Sequence, residues 1–315
     1  MIVLHKLMSM RNTVVILVFL IGASLDALGF DCAPWVYRDA DQSSPTREEI
    51  KFAKGLLWNI KHPSGASSYL FGTIHLADPR IVALSRAVAE RIAEKPNFAM
   101  EVLITPDTVR FSVSRMFFSN GEKLSEQLPS GLYDRTVTLL QQHGVSSALV
   151  DSVRPWAAYM TLAVPPSGNG LPLDLHLLNL AQSHGNQLFG VETIEEQLGI
   201  FEALDLQQQI SLLSESVCNY QENQSQIGTM LSLYLAQDLG GLVEIGDKYQ
   251  TPVNANLFQK LLIDRNRTMA ERIKPWMQQG QFFVAVGALH LPGPTGLLRA
   301  LENAGFEVSQ VELQP

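Results

Sequence analysis

Apolar positions along the chain follow two rhythms, and the change between them predicts the elements. Gly55–Ile60 and Ser68–Ile74 are compact apolar runs separated by His62-Pro-Ser-Gly-Ala-Ser67, the pattern of two strands joined by a turn. After Asp78-Pro79 the spacing lengthens, and Ile81, Leu84, Val88 and Ile92 fall on one helical face. Asn97–Leu103 reads as another buried strand. From Thr105 to about Gly280 the helical rhythm dominates, with Thr105-Pro106 as a start signal and His143-Gly144 and His184-Gly185 as stops. Gln187–Val191 interrupts it as a short strand, and Thr193-Ile-Glu-Glu196 has the capping-box spacing that opens the next helix. Gln281–Val286, Thr295–Asn303 and Phe306–Leu313 close the chain as strand, helix and strand.

The two ends repeat one another. Tyr69-Leu-Phe-Gly-Thr-Ile-His-Leu76 and Val284-Ala-Val-Gly-Ala-Leu-His-Leu291 each run an apolar strand into Gly-x-x-His-Leu, followed by a Pro-containing loop, a helix and a strand. Packing both units into one mixed sheet predicts an α/β fold, with the helical stretch of about 105–280 inserted as a cap on a single domain of residues 30–315.

Residues 1–29 stand apart from this scheme. Lys6 and Arg11 precede the uncharged run Thr13–Leu25, which is shorter than the roughly 17–25 residues of a bilayer span. Basic flank, apolar core and small residues Ala27 and Gly29 are the pattern of a cleavable signal peptide, with an uncleaved anchor as the other reading. Export to the periplasm or the cell exterior follows, with no membrane span once the leader is gone. In an oxidising compartment Cys32 and Cys218 are expected to pair as a disulfide, although two buried free thiols also fit. The chain carries 23 Lys+Arg against 31 Asp+Glu, a net charge of −8, so it has no basic footprint for nucleic acid.

With only 17% of residues charged, an acid inside an apolar run is conspicuous. Glu101 ends Phe98-Ala-Met-Glu, and Glu192 ends Leu188-Phe-Gly-Val-Glu directly before a helix start. Such acids must be paired, protonated or metal-bound, because an isolated buried charge is very costly. His75 and His290 follow glycines Gly72 and Gly287 at the same spacing, which delivers both to the carboxyl edge of a sheet, where open α/β sheets gather ligands. His75, His290, Glu101 and Glu192 together suit a divalent ion (Zn, Mn, Co or Fe), with Glu101 or Glu192 left as general base. Arg265 and Asn266 are candidates for substrate binding, Arg265 through the planar fork it offers a carboxylate. Asp174, in Pro172-Leu-Asp-Leu, is explained as a helix N-cap or first-turn acid, and Trp156 by a core. No Gly-x-Ser-x-Gly elbow, phosphate loop, dinucleotide fingerprint or His-Glu-x-x-His helix is present.

Read in order, Tyr69-Leu-Phe-Gly-Thr-Ile-His-Leu76, Met100-Glu101-Val102, Gly190-Val-Glu-Thr-Ile-Glu-Glu-Gln197, Arg265-Asn266 with Met269 and Ile273, and Val286-Gly-Ala-Leu-His-Leu-Pro-Gly293 resemble the TraB/PrgY/GumN family. That family includes the animal Tiki proteins, described as metal-dependent proteases whose paired Gly-x-x-His motifs and glutamate form the site. The resemblance implies that His75, His290 and Glu101 carry this role, with Glu192, Arg265 and Asn266 as further matches. It also implies a fold similar to the erythromycin esterase and ChaN group. The expectation is an exported metal-dependent hydrolase acting on a peptide or another amide or ester bond. The competing reading is a non-catalytic periplasmic protein that binds haem, metal or a peptide with the same histidines.

Overall fold

The computed structural model describes residue 32 and residues 49–166, 170–248, 251 and 254–313. Residues 1–29, where the sequence leads one to expect a signal peptide, lie outside these. Six strands form one sheet: β1 (Leu57–Lys61), β2 (Ser67–Thr73), β3 (Asn97–Val102), β4 (Gln187–Glu192), β5 (Phe282–Gly287) and β6 (Glu307–Val311), in the order β4-β3-β5-β2-β1-β6. β4, β3, β5 and β2 run parallel, while β1 is antiparallel to both β2 and β6. The fold is therefore mixed α/β, as the two apolar rhythms predict.

Burial explains the order. β5 is buried along Phe282–Val286 and takes the centre, as a strand apolar on both faces must. β6, with Glu307, Ser309 and Gln310 exposed, takes an edge. The repeated ends meet through direct β2–β5 pairing, in which Phe71 lies opposite Ala285 and Thr73 opposite Gly287. The two Gly-x-x-His segments thus leave the same sheet edge from neighbouring strands.

The helix Pro79–Ala93 begins where expected: the Asp78 side chain accepts from the Arg80 N–H, and Pro79 fills the first turn. Ile81, Leu84, Val88 and Ile92 are all buried against the sheet core. The middle of the chain is more than a cap. Helices Leu173–Ser183 and Arg265–Gln279 supply Leu173, Leu177, Met269, Ile273 and Met277 to the sheet's own core, and β4 joins the sheet. A second core forms around Trp156, Leu140, Leu162, Phe201 and Leu213, with Trp156 stacked on Phe201 at 6.0 Å between ring centroids. The apolar content of the middle is divided between two cores, which a helical period alone does not reveal. Cys32 and Cys218 are joined by a disulfide that links positions 186 residues apart. Among the described residues no helix is long and apolar enough to cross a membrane.

Candidate functional site at the carboxyl edge of the sheet

Each parallel strand delivers one ionisable group to the same edge. β3 ends with Glu101 and β4 with Glu192, while β2 and β5 run on into His75 and His290. The glycines make room for the approach. A Cβ on Gly72 would lie 2.8 Å from Leu291 Cδ1 and 3.1 Å from Ala288 Cα, inside the turn that carries His290. A Cβ on Gly287 would lie 3.1 Å from Glu101 Oε1. With no side chain there, the Gly287 N–H reaches that oxygen and donates to it at 2.6 Å.

Glu101 is the hub. Its Oε1 faces the Gly287 N–H and lies 3.6 Å from His290 Nε2. Its Oε2 accepts from the Arg265 guanidinium at 2.5 Å and from Gln197 Nε2 at 3.1 Å. Burial alone would raise its pKa, but the opposing pull of His290, Arg265 and His75, with the Gly287 N–H, holds it down at about 2. Glu192 accepts from Arg265 Nε at 3.0 and 3.1 Å, from its terminal nitrogen at 2.6 Å, and from Gln197 at 3.2 Å. Arg265 thus spans both strand-end acids. Its fork is occupied by this chain's own carboxylates, and it also caps the Leu261 carbonyl at 3.1 Å. A π-helical segment, Gln259–Asp264, directly precedes it, a local widening often found beside functional groups.

The histidines are held differently. His290 is buried, in a short 3-10 turn, Ala288–His290. Its Nδ1 lies 2.6 Å from Asn266 Oδ1, while Asn266 Nδ2 donates to the Thr295 carbonyl at 2.9 Å. That second bond fixes the amide, so its oxygen faces the ring and Nδ1 is the donor. Nε2 is left with its lone pair toward Glu101. Burial lowers the His290 pKa to about 4, which keeps the ring neutral. His75 is exposed, with 64% of its side chain accessible, and its Nδ1 lies 2.7 Å from Asp174 Oδ2. The hydrogen bond to Asp174 raises its pKa to about 9, so with no ion bound the ring is protonated at neutral pH. Asn266 is therefore bound to His290 and Thr295, a placement the sequence did not suggest. Asp174 and Gln197 belong to the site although sequence reasoning had left Asp174 to helix capping and did not single out Gln197.

His75, Asp174, Glu101 and Gln197 line a cavity of about 230 Å³, with Met100, Val102, Ile104, Val109 and Ile194 as apolar walls. The cavity's lining does not include Glu192, Arg265 or His290, so Glu101 and Gln197 connect the buried cluster to it. A model for the TraB/PrgY/gumN family matches residues 56–310. The chain belongs to that family. Family members similar to it include the protein named metalloprotease TIKI2 of Danio rerio, 27% identical over 84% of this chain, and metalloprotease TIKI1 of Xenopus tropicalis, 26% identical over 80%. The uncharacterized protein YbaP of Shigella flexneri is 22% identical over 77% of this chain and 90% of its own length. This chain spans 62% and 60% of the two metalloproteases' lengths. No solved structure matches at comparable significance.

The donor chemistry accommodates a cation. His290 Nε2 and Glu101 Oε1 present two lone pairs to each other at 3.6 Å with no proton of their own between them, an arrangement that a positive ion relieves. Among the described residues, no group of three or more His, Cys, Asp or Glu side chains is placed to hold a metal ion. Glu192 is engaged by Arg265, and His75 stands at the cavity rim.

Proposed function

We propose that the chain is an exported metal-dependent hydrolase of peptide or related amide and ester bonds. The observation that carries this reading is that both Gly-x-x-His segments leave the sheet edge beside Glu101, which with His75 lines a cavity of about 230 Å³, in a chain whose relatives include named metalloproteases. His290 and His75 would hold the ion beside Glu101, and the donor types leave its identity open among Zn, Mn, Co and Fe. A divalent ion supplies Lewis acidity toward a carbonyl and brings the pKa of water near 7.

The protein's own groups account for the rest. Glu101 faces the cavity and is the acid placed to take the proton from the attacking water. At a pKa of about 2 it is ionised, as a proton acceptor must be. As the carbonyl carbon gains the water oxygen and loses its amine or alkoxide, the same proton passes from Glu101 to the departing atom. Arg265 and Glu192 fix the position and charge of Glu101. The walls Met100, Val102, Ile104, Val109 and Ile194 suit an uncharged side chain next to the scissile bond. The disulfide supports maturation in an oxidising compartment, in keeping with a leader of 1–29.

Metal content measured by mass spectrometry after loading and desalting tests the reading. Wild-type protein is expected to retain about one ion per chain, and His75→Ala and His290→Ala to retain much less. Equal, negligible retention by all three sinks the proposal.

A further inference from the structure

We propose that Asp174 is a positioning residue, which orients His75 toward the ion just as Asn266 orients His290. This rests on the metal-site reading above. The motivating feature is a correspondence between the two halves of the site. Each histidine leaves a parallel strand through Gly-x-x-His, and each is met at Nδ1 by a polar side chain carried on a helix. Asp174 lies in the first turn of Leu173–Ser183, and Asn266 lies on Arg265–Gln279, which continues the π-helical segment Gln259–Asp264. The distances are 2.7 Å to His75 and 2.6 Å to His290. Both orienting groups are anchored in turn, Asp174 by the Thr73 hydroxyl at 3.0 Å and Asn266 by its bond to the Thr295 carbonyl at 2.9 Å.

Helix capping does not account for Asp174. Its two oxygens go to Thr73 and His75, one each, and Pro172 at the helix start offers no side-chain cap. Nor does His75 need a protein partner for solvation, since an imidazole with 64% of its side chain accessible is satisfied by water. Tethering an exposed ring to a carboxylate that is only 14% accessible restricts which nitrogen faces the cavity. With Nδ1–H donated to Asp174, Nε2 is the nitrogen that gives up its proton to coordinate, and the carboxylate strengthens it as a donor. Thr73 lies on β2 opposite Gly287, so the chain Thr73–Asp174–His75 begins at the strand pair that joins the two repeats.

Cobalt(II) titration of chelator-stripped protein tests this, with ¹⁵N spectra of the histidine rings as a second readout. Removing an outer partner of this kind is expected to weaken affinity about 10–100-fold in Asp174→Ala. Asp174→Asn, which keeps an acceptor, should lose less, and the His75 ring should lose its Nδ1–H preference in Asp174→Ala. Wild-type affinity together with an unchanged His75 ring signal in Asp174→Ala overturns the inference and leaves the metal site standing. A wild-type protein that binds no cobalt removes the metal-site reading and this inference with it. Should Asp174→Ala fail to fold, Thr73→Val removes only the hydroxyl that anchors Asp174. A several-fold weaker affinity then supports the inference, and unchanged affinity overturns it.

Discussion

Arg265 is the residue on which the charge balance of the site depends. Its guanidinium is 13% accessible and lies against Glu101 and Glu192, whose side chains are 13% and 4% accessible. Taking away one partner of a buried ion pair leaves uncompensated charge and typically costs about 3–5 kcal/mol. Arg265→Ala is therefore expected to lower the urea midpoint sharply, and adding Glu192→Gln should recover part of the loss. A midpoint within error of wild type would contradict the pairing. At this scale the sequence was informative where an ionisable group stood in apolar surroundings. Glu101 and Glu192 were legible as acids in strands, and His75 and His290 through their repeated spacing. Asp174 was not, because a carboxylate in a helix's first turn has a sufficient local explanation, and its partner lies 99 positions away. Gln197 was hidden for a related reason: a polar residue on a helix carries no sign of the two carboxylates it bridges.

Elements are governed by local rules that can be tested separately. At the start of Ile194–Glu202, Thr193 accepts from the Glu196 N–H at 3.2 Å and Glu196 accepts from the Thr193 N–H at 2.9 Å, the capping box expected from the sequence. The Arg272 side chain, then the Thr193 N–H, hold Glu196 at a pKa of about 2, below its ordinary value of 4.5. A depressed carboxylate stabilises the fold fully above the unfolded pKa and loses that contribution as pH falls through the folded one. Stability should thus decline between about pH 4.5 and 2, by only about 0.5–1 kcal/mol because the pair is partly exposed. Glu196→Gln should flatten that part of a stability-against-pH curve, and an unaltered slope would exclude the assignment. The motif glycines make a second case. Gly72→Ala forces a Cβ to within 3.1 Å of the Ala288 backbone, so the turn bearing His290 must shift. Loss of cobalt affinity larger than the loss of thermal stability is the expected result.

For the whole molecule, a mixed α/β fold was legible from apolar rhythm and repetition, while the strand order and the division of the middle into two cores were not. Helical spacing identifies a buried stripe but not its partner, and Leu173–Ser183 and Leu206–Cys218 carry comparable stripes into different cores. The Tyr234 hydroxyl, which donates to the Gly72 carbonyl at 2.7 Å, ties the helix Tyr220–Leu235 back to the motif strand across 162 positions. The Cys32–Cys218 bond also acts at this scale, because it closes a long loop in the unfolded chain. Reduction, or Cys218→Ser, is expected to cost roughly 2–5 kcal/mol in equilibrium unfolding. An unchanged transition would show that the bond does not constrain the unfolded ensemble. The central claim, metal-dependent hydrolysis through Glu101, is tested most directly by mass-spectrometric digestion of an unbiased peptide library. Comparison should include chelated, metal-restored and Glu101→Gln protein. Cleavage by wild type that chelator abolishes, metal restores and Glu101→Gln lacks is the predicted result. Cleavage that persists in chelator and in Glu101→Gln, or none by any metal-loaded form, would contradict it.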